Sequence, residues 1–205
     1  MPVQVRPRVP FLNNRKIVIM FIQTEETPNP NALKFLPGVE ISPGTPVFLN
    51  SLEEARKISN LATRIFQIDN VEAVFYGKDF ITITKSENSQ WAVLKPEILM
   101  IIMDHLVAGL PVFDQSQDIV KDIDKDARSD IEKQIIEIIE TRVRPSVAMD
   151  GGDIVYQGFR DGIVYLQLRG ACSGCPSSSI TLKNGIESML QHFVPEVQSV
   201  EASEE

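Results

Sequence analysis

The sequence predicts an α+β protein made of two small domains of mixed helix and strand joined by a polar linker. Three observations carry that expectation. Strand-like alternation and helix-like periodicity recur in both halves of the chain, each half holds a capping-box signature, and residues 109–127 between them are polar, acidic and aperiodic. At 205 residues the chain has room for two such units.

The first sixteen residues, MPVQVRPRVPFLNNRK, carry Arg6, Arg8, Arg15 and Lys16 and no acid. They read as a disordered extension or a targeting remnant, with Met20 as an alternative start. The first domain is expected over 17–108. IVIMFIQTEETPNPNALKFLPG reads as a strand from Ile17 to Phe21, a turn at Pro28–Asn31 and a second strand. Ser51 and Glu54 open a helix carrying Leu52, Ala55, Ile58, Ala62, Ile65 and Phe66 on one face. VEAVFYGKDFITITK reads as a hairpin turning at Gly77-Lys78-Asp79, with Ile81 and Ile83 facing inward and Thr82 and Thr84 outward. Trp91 to Val107 reads as a helix, with Pro96 blurring its start.

After the linker, 128–205 forms the second domain. Ser129 and Glu132 cap a helix bearing Ile131, Ile135, Ile138 and Ile139. Arg142 and Arg144 sit near its end, and Pro145 is expected to stop it. DIVYQGF and GIVYLQL flank Arg160-Asp161-Gly162, a strong hairpin signal. Next come a C-x-x-C loop, a helix with Leu182, Ile186, Met189, Leu190 and Phe193 in register, and a short last strand in EVQSVEA. The order is helix, hairpin, cysteine loop, helix, strand.

Composition narrows the function. A net charge of −8 argues against a general nucleic-acid binder. The longest apolar run, ILMIIMDHLVAGL, is broken by Asp104 and His105, so no membrane span is expected. No secretory signal is read, and two cysteines do not make a secreted disulfide framework, so a reducing compartment is expected.

Those two cysteines, Cys172 and Cys175, stand together in RGACSGCPSSS. Pro176 suits the first position of a helix. Cys175 would then be the N-cap, and both thiols would ionise more readily near the helix N-terminus. Two unmodified structural thiols are the bland alternative. A thioredoxin-like redox pair is a sharper one, but an antiparallel hairpin precedes the motif where that fold places a βαβ unit. A metal site needs four ligands, and His105 and His192 lie far away in sequence. Two chains, each giving Cys172 and Cys175 across a twofold axis, would supply them. Such a site is shared and easily taken apart, which suits a cluster in transit.

At these residues the sequence resembles a family. MDGGD, the hairpin and GACSGCPSSSITLKNGIE look like the C-terminal domain of NifU-like proteins, and TPNPNALKF looks like the N-terminal domain of the Nfu branch. The resemblance covers nearly the whole chain from Ile19 onward. It implies a non-enzymatic iron–sulfur scaffold or carrier, homodimeric when loaded. A [4Fe-4S] cluster, or alternatively [2Fe-2S], would be held through Cys172 and Cys175. The carrier would receive it from upstream assembly proteins and pass it to apo iron–sulfur proteins, without nucleic acid or membrane. Gly151, Gly152 and Asp153 are expected to be structural, and TPNPN a fixed turn. The additional cysteine-bearing domains of the larger nitrogen-fixation scaffolds are missing from this sequence, which favours carriage over assembly. Bacterial cytoplasm and mitochondrial matrix both fit, the cytoplasm being slightly preferred. A thiol–disulfide oxidoreductase is the alternative function.

Overall fold

The computed structural model describes residues 21–42, 46–113, 128–173 and 176–204. The N-terminal extension, residues 114–127 of the expected linker, and Gly174 and Cys175 lie outside the described residues. Of the strand expected over Ile17–Phe21, only Phe21 is described.

The first half is an antiparallel sheet of five strands: β1 (Gln23–Glu26), β2 (Ala32–Leu36), β3 (Val47–Leu49), β4 (Val71–Tyr76) and β5 (Ile81–Lys85), in the order β1-β2-β5-β4-β3. The TPNPN turn joins β1 to β2. Three helices, α1 (Leu52–Ile58), α2 (Asn60–Phe66) and α3 (Trp91–Val107), cover one face. There Leu33, Phe35, Val74, Tyr76, Ile81 and Ile83 pack against Leu61, Ile65, Ile98 and Ile102.

Ser51 caps α1 as expected, its hydroxyl accepting from the Glu54 N–H. The single helix expected to follow is instead two. Ser59 is extended (φ −149°), ends α1 and caps α2 by accepting from the Ala62 N–H. Its hydroxyl also bonds the Val112 carbonyl and lies 3.2 Å from the Tyr76 hydroxyl. Serine's readiness to bond nearby backbone broke a helix that apolar periodicity alone would have continued. Val112 and Phe113 pack against this same core.

The expected alternation in β5 is also incomplete, because Thr82 is buried. Across the second face of the sheet, Lys34, Thr82 and Phe75 are register neighbours on β2, β5 and β4, and the other half of the chain covers all three.

In that half, α4 (Asp130–Ile138) opens with the complete Ser129–Glu132 capping box. Pro145 does not end the helix. The chain passes through a π-helical turn, Ile139–Val143, and continues as α5 (Arg144–Met149) with Pro145 in its first turn. The Arg144 N–H reaches back to the Ile139 carbonyl. A helix that restarts at Arg144 tolerates proline there, because the first-turn donors lack a regular partner anyway.

Strands β6 (Gly152–Arg160) and β7 (Ile163–Gly170) form the expected hairpin. Asp161 and Gly162 both have positive φ, 51° and 80°, as a type I′ turn requires. Helix α6 (Pro176–Phe193) then crosses over so that β8 (Ser199–Glu204) pairs parallel to β7. Ile154, Leu166, Leu168, Ile186, Leu190 and Val200 form the core between sheet and helices.

Candidate metal centre

The cysteine loop begins where β7 ends. Gly170, with φ +66°, turns the chain, the Ala171 N–H donates to the Gly151 carbonyl at 3.2 Å, and the Ser173 N–H donates to the Gly170 carbonyl at 3.1 Å. The Met149–Gly152 turn and the cysteine loop therefore form one hydrogen-bonded unit, although twenty residues of chain separate them.

Cys172 lies inside this unit and belongs to the second core. Its sulfur rests against the backbone of Gly152, where an added Cβ would come within 2.4 Å of Sγ. Gly152 is thus required for space, whereas Gly151, with φ +80°, is required for its backbone conformation. The expectation that GGD is structural holds for both glycines, but for different reasons.

Cys172 departs from expectation in its acidity. Burial, then the nearby Asp150 and Asp153 carboxylates, push its thiol up to about 12 instead of easing its ionisation. The sulfur faces the core and two acids, so the favourable field expected at a helix N-terminus does not dominate. Pro176 is the first residue of α6, as the sequence predicts. Cys175, the second expected ligand, lies outside the described residues.

Asp153 is buried and ion-paired to Arg144, Nε to Oδ1 at 2.9 Å. Burial raises its carboxyl despite the opposing pull of Arg144, the Ile154 N–H and Arg169. Arg144 also bonds Glu140 at 2.7 Å and donates to the Ile154 carbonyl at 3.0 Å. The turn that carries Pro145 inside the helix thus also brings a guanidinium to the acid behind the cysteine loop.

Neither histidine is near the loop. His105 is buried in the first half with Nε2 3.0 Å from the Pro111 carbonyl, and His192 lies edge-on to Phe193. Among the described residues, no group of three or more His, Cys, Asp or Glu side chains is placed to hold a metal ion.

Three residues of the first half reach this unit unforeseen. The Asn29 side-chain amide donates to the Ser173 carbonyl at 3.0 Å, the Lys34 ammonium to the Met149 carbonyl at 3.1 Å, and the Thr82 hydroxyl to the Gly151 carbonyl at 2.8 Å. Asn29 was legible only as a turn residue, and Thr82 only as the outward member of an alternating strand. A period-2 pattern cannot tell solvent from a second domain.

Residues 22–109 match the family described as scaffold protein Nfu/NifU N terminal, and residues 135–201 match the NifU-like domain. The chain is 44% identical over 206 residues to the protein named NFU1 iron-sulfur cluster scaffold homolog, mitochondrial, of Drosophila persimilis, covering 98% of this chain and 73% of that one. It is 46% identical over 187 residues to the Drosophila virilis protein of the same name, covering 89% of this chain and 61% of that one. A solution structure of a NifU-like protein from Saccharomyces cerevisiae shares 33% identity with a TM-score of 0.43, covering 47% of this chain and 86% of that one. With both halves matched in order and a relative 44% identical over 98% of this chain and 73% of its own length, the chain belongs to the Nfu/NifU scaffold-protein family.

Proposed function

We propose that this protein is an iron–sulfur cluster scaffold and carrier, not an enzyme, that holds a [4Fe-4S] cluster between two chains and passes it to apo-proteins. One observation carries the reading. The chain has two cysteines, both in one C-x-x-C, and a thiolate-bound cluster needs four. A twofold pairing of Cys172 and Cys175 supplies them, and the buried His105 offers no substitute. A [2Fe-2S] cluster has the same ligand requirement and is the alternative cargo. The division into a first domain at 17–108, a linker at 109–127 and a cluster-binding domain at 128–205 belongs to the same proposal, with the first domain contributing placement and not ligation.

Transfer is a ligand exchange. Acceptor thiolates replace the carrier's one by one, four iron–thiolate bonds break as four form, and the protons released by the acceptor's thiols end on the carrier's. No electron need change hands. The partners this implies are upstream assembly proteins and apo iron–sulfur targets. No helix among the described residues is long and apolar enough to cross a membrane. The mitochondrial naming of the relatives favours a mitochondrial matrix and lends no support to the preference for a bacterial cytoplasm.

The burial of Cys172 weighs against the oxidoreductase reading, since an attacking cysteine needs exposure and an accessible thiolate. The test is anaerobic reconstitution with iron and sulfide, followed by mixing with an apo-[4Fe-4S] enzyme. A visible charge-transfer absorption that passes to the acceptor, with recovery of its activity, is expected. Disulfide reduction by the metal-free chain, with no iron ever taken up, would establish the alternative.

A further inference from the structure

We propose that the first half of the chain is a latch that holds the cysteine loop closed, so that cluster uptake requires the two halves to part. This rests on the reading of Cys172 as a cluster ligand.

Three polar side chains of the first half donate to three main-chain carbonyls of the second. Asn29 bonds Ser173 at 3.0 Å, Lys34 bonds Met149 at 3.1 Å and Thr82 bonds Gly151 at 2.8 Å. All three residues are buried, at 2%, 8% and 1% exposure. Each is also placed by its own half. The Asn29 Oδ1 accepts from the Asn31 N–H, Lys34 pairs with Glu25 and lies over the Phe80 ring, and Thr82 sits mid-strand. The opposing surface is fitted to them. A Cβ on Gly151 would come within 2.9 Å of the Thr82 hydroxyl, and one on Gly170 within 3.0 Å of the Phe75 ring.

The contacts fall on the turn and loop that enclose the ligand. Ser173 follows Cys172 directly, and Gly151 bonds the Ala171 N–H from the other side. In this closed arrangement Cys172 is 8% exposed, with its sulfur under Gly152. A cluster shared by two chains needs that sulfur to face outward. Turning it out shifts the chain at the adjoining Ser173, whose carbonyl Asn29 holds. Hydrogen bonds to carbonyls suit a reversible contact, because water can take each partner's place when the halves separate.

The latch is tested on the metal-free, reduced full chain carrying Cys175→Ser, by following alkylation of Cys172 with iodoacetamide. Asn29→Asp keeps the oxygen that accepts from Asn31 but sets a carboxylate against the Ser173 carbonyl. Thr82→Val keeps the shape of the side chain and removes its donor. Each should speed alkylation by about fivefold or more, the equivalent of losing one ordinary hydrogen bond, while Thr82→Ser keeps the parent rate. Should Asn29→Asp not fold, the Thr82 pair decides the matter. Rates within about twofold of the parent in natively folded variants would overturn the latch. Alkylation does not depend on a cluster, so the two readings fail separately. Faster alkylation in these variants, with no iron ever taken up by the chain that keeps Cys175, would remove the carrier function and leave the gating contact. Cluster uptake without faster alkylation would remove the latch alone.

Discussion

Gly152 and Cys172 are in contact so close that no side chain fits between them: a Cβ on Gly152 would lie 2.4 Å from the cysteine sulfur and 3.0 Å from the Arg169 carbonyl. Gly152→Ala must therefore displace Cys172 from the core or separate β6 from β7. The expected cost is on the order of 1–3 kcal/mol, typical of an overpacked core. It should appear as a lower urea midpoint with an unchanged slope. An alanine variant as stable as the parent would show that the sulfur is not seated as described.

The ion pair behind the loop gives a second expectation. Arg144→Met removes the guanidinium beside the buried Asp153 and leaves the carboxylate unpaired. Breaking a fully buried pair is costly, but the Arg144 side chain is 30% exposed, so the loss should be about 2 kcal/mol. Adding Asp153→Asn should restore part of it, since no buried charge then remains. A double variant less stable than the sum of the two single ones would contradict the pairing.

Much of the fold was legible because local chemistry and tertiary structure agree there. Ser51 and Ser129 cap helices, Asp161-Gly162 makes the hairpin turn, and Pro176 starts α6, each for a reason contained within a few residues. The departures have non-local causes. Ser59 breaks a helix through partners on β4 and in the segment after α3. Pro145 survives inside a helix because a π-helical turn precedes it. Thr82 is buried because the second half covers it. For the site, the C-x-x-C spacing of Cys172 and Cys175 is plain in the sequence, but the acidity of Cys172 is not. Asp150 and Asp153 are about twenty residues away in the chain, and only the fold brings them to the sulfur.

Stability should depend on pH through Glu132. Its carboxyl accepts from the Ser129 N–H and the Tyr156 hydroxyl, each at 2.9 Å. The Ser129 N–H first, then the Tyr156 hydroxyl, hold it below the ordinary carboxylate value. A depressed folded value means stabilisation that is present above the unfolded pKa and lost as pH falls through the folded one. Glu132→Gln keeps the capping oxygen and loses only the charge at the helix N-terminus, so it should be less stable than the parent near neutral pH by about 0.5 kcal/mol. That difference should shrink as the pH drops through the carboxylate range. Paired urea titrations across that range measure it, and a gap that widens toward acid would contradict the assignment.

The most direct measurement is the stoichiometry of the loaded protein. The anaerobically reconstituted chain should contain about four irons and four sulfides per two chains and have the mass of a dimer. Cys172→Ser and Cys175→Ser should each abolish uptake, because each removes two of the four ligands. A loaded protein that stays monomeric with no added thiol, or a single serine variant that retains the full cluster, would contradict a site built from two cysteines on each of two chains.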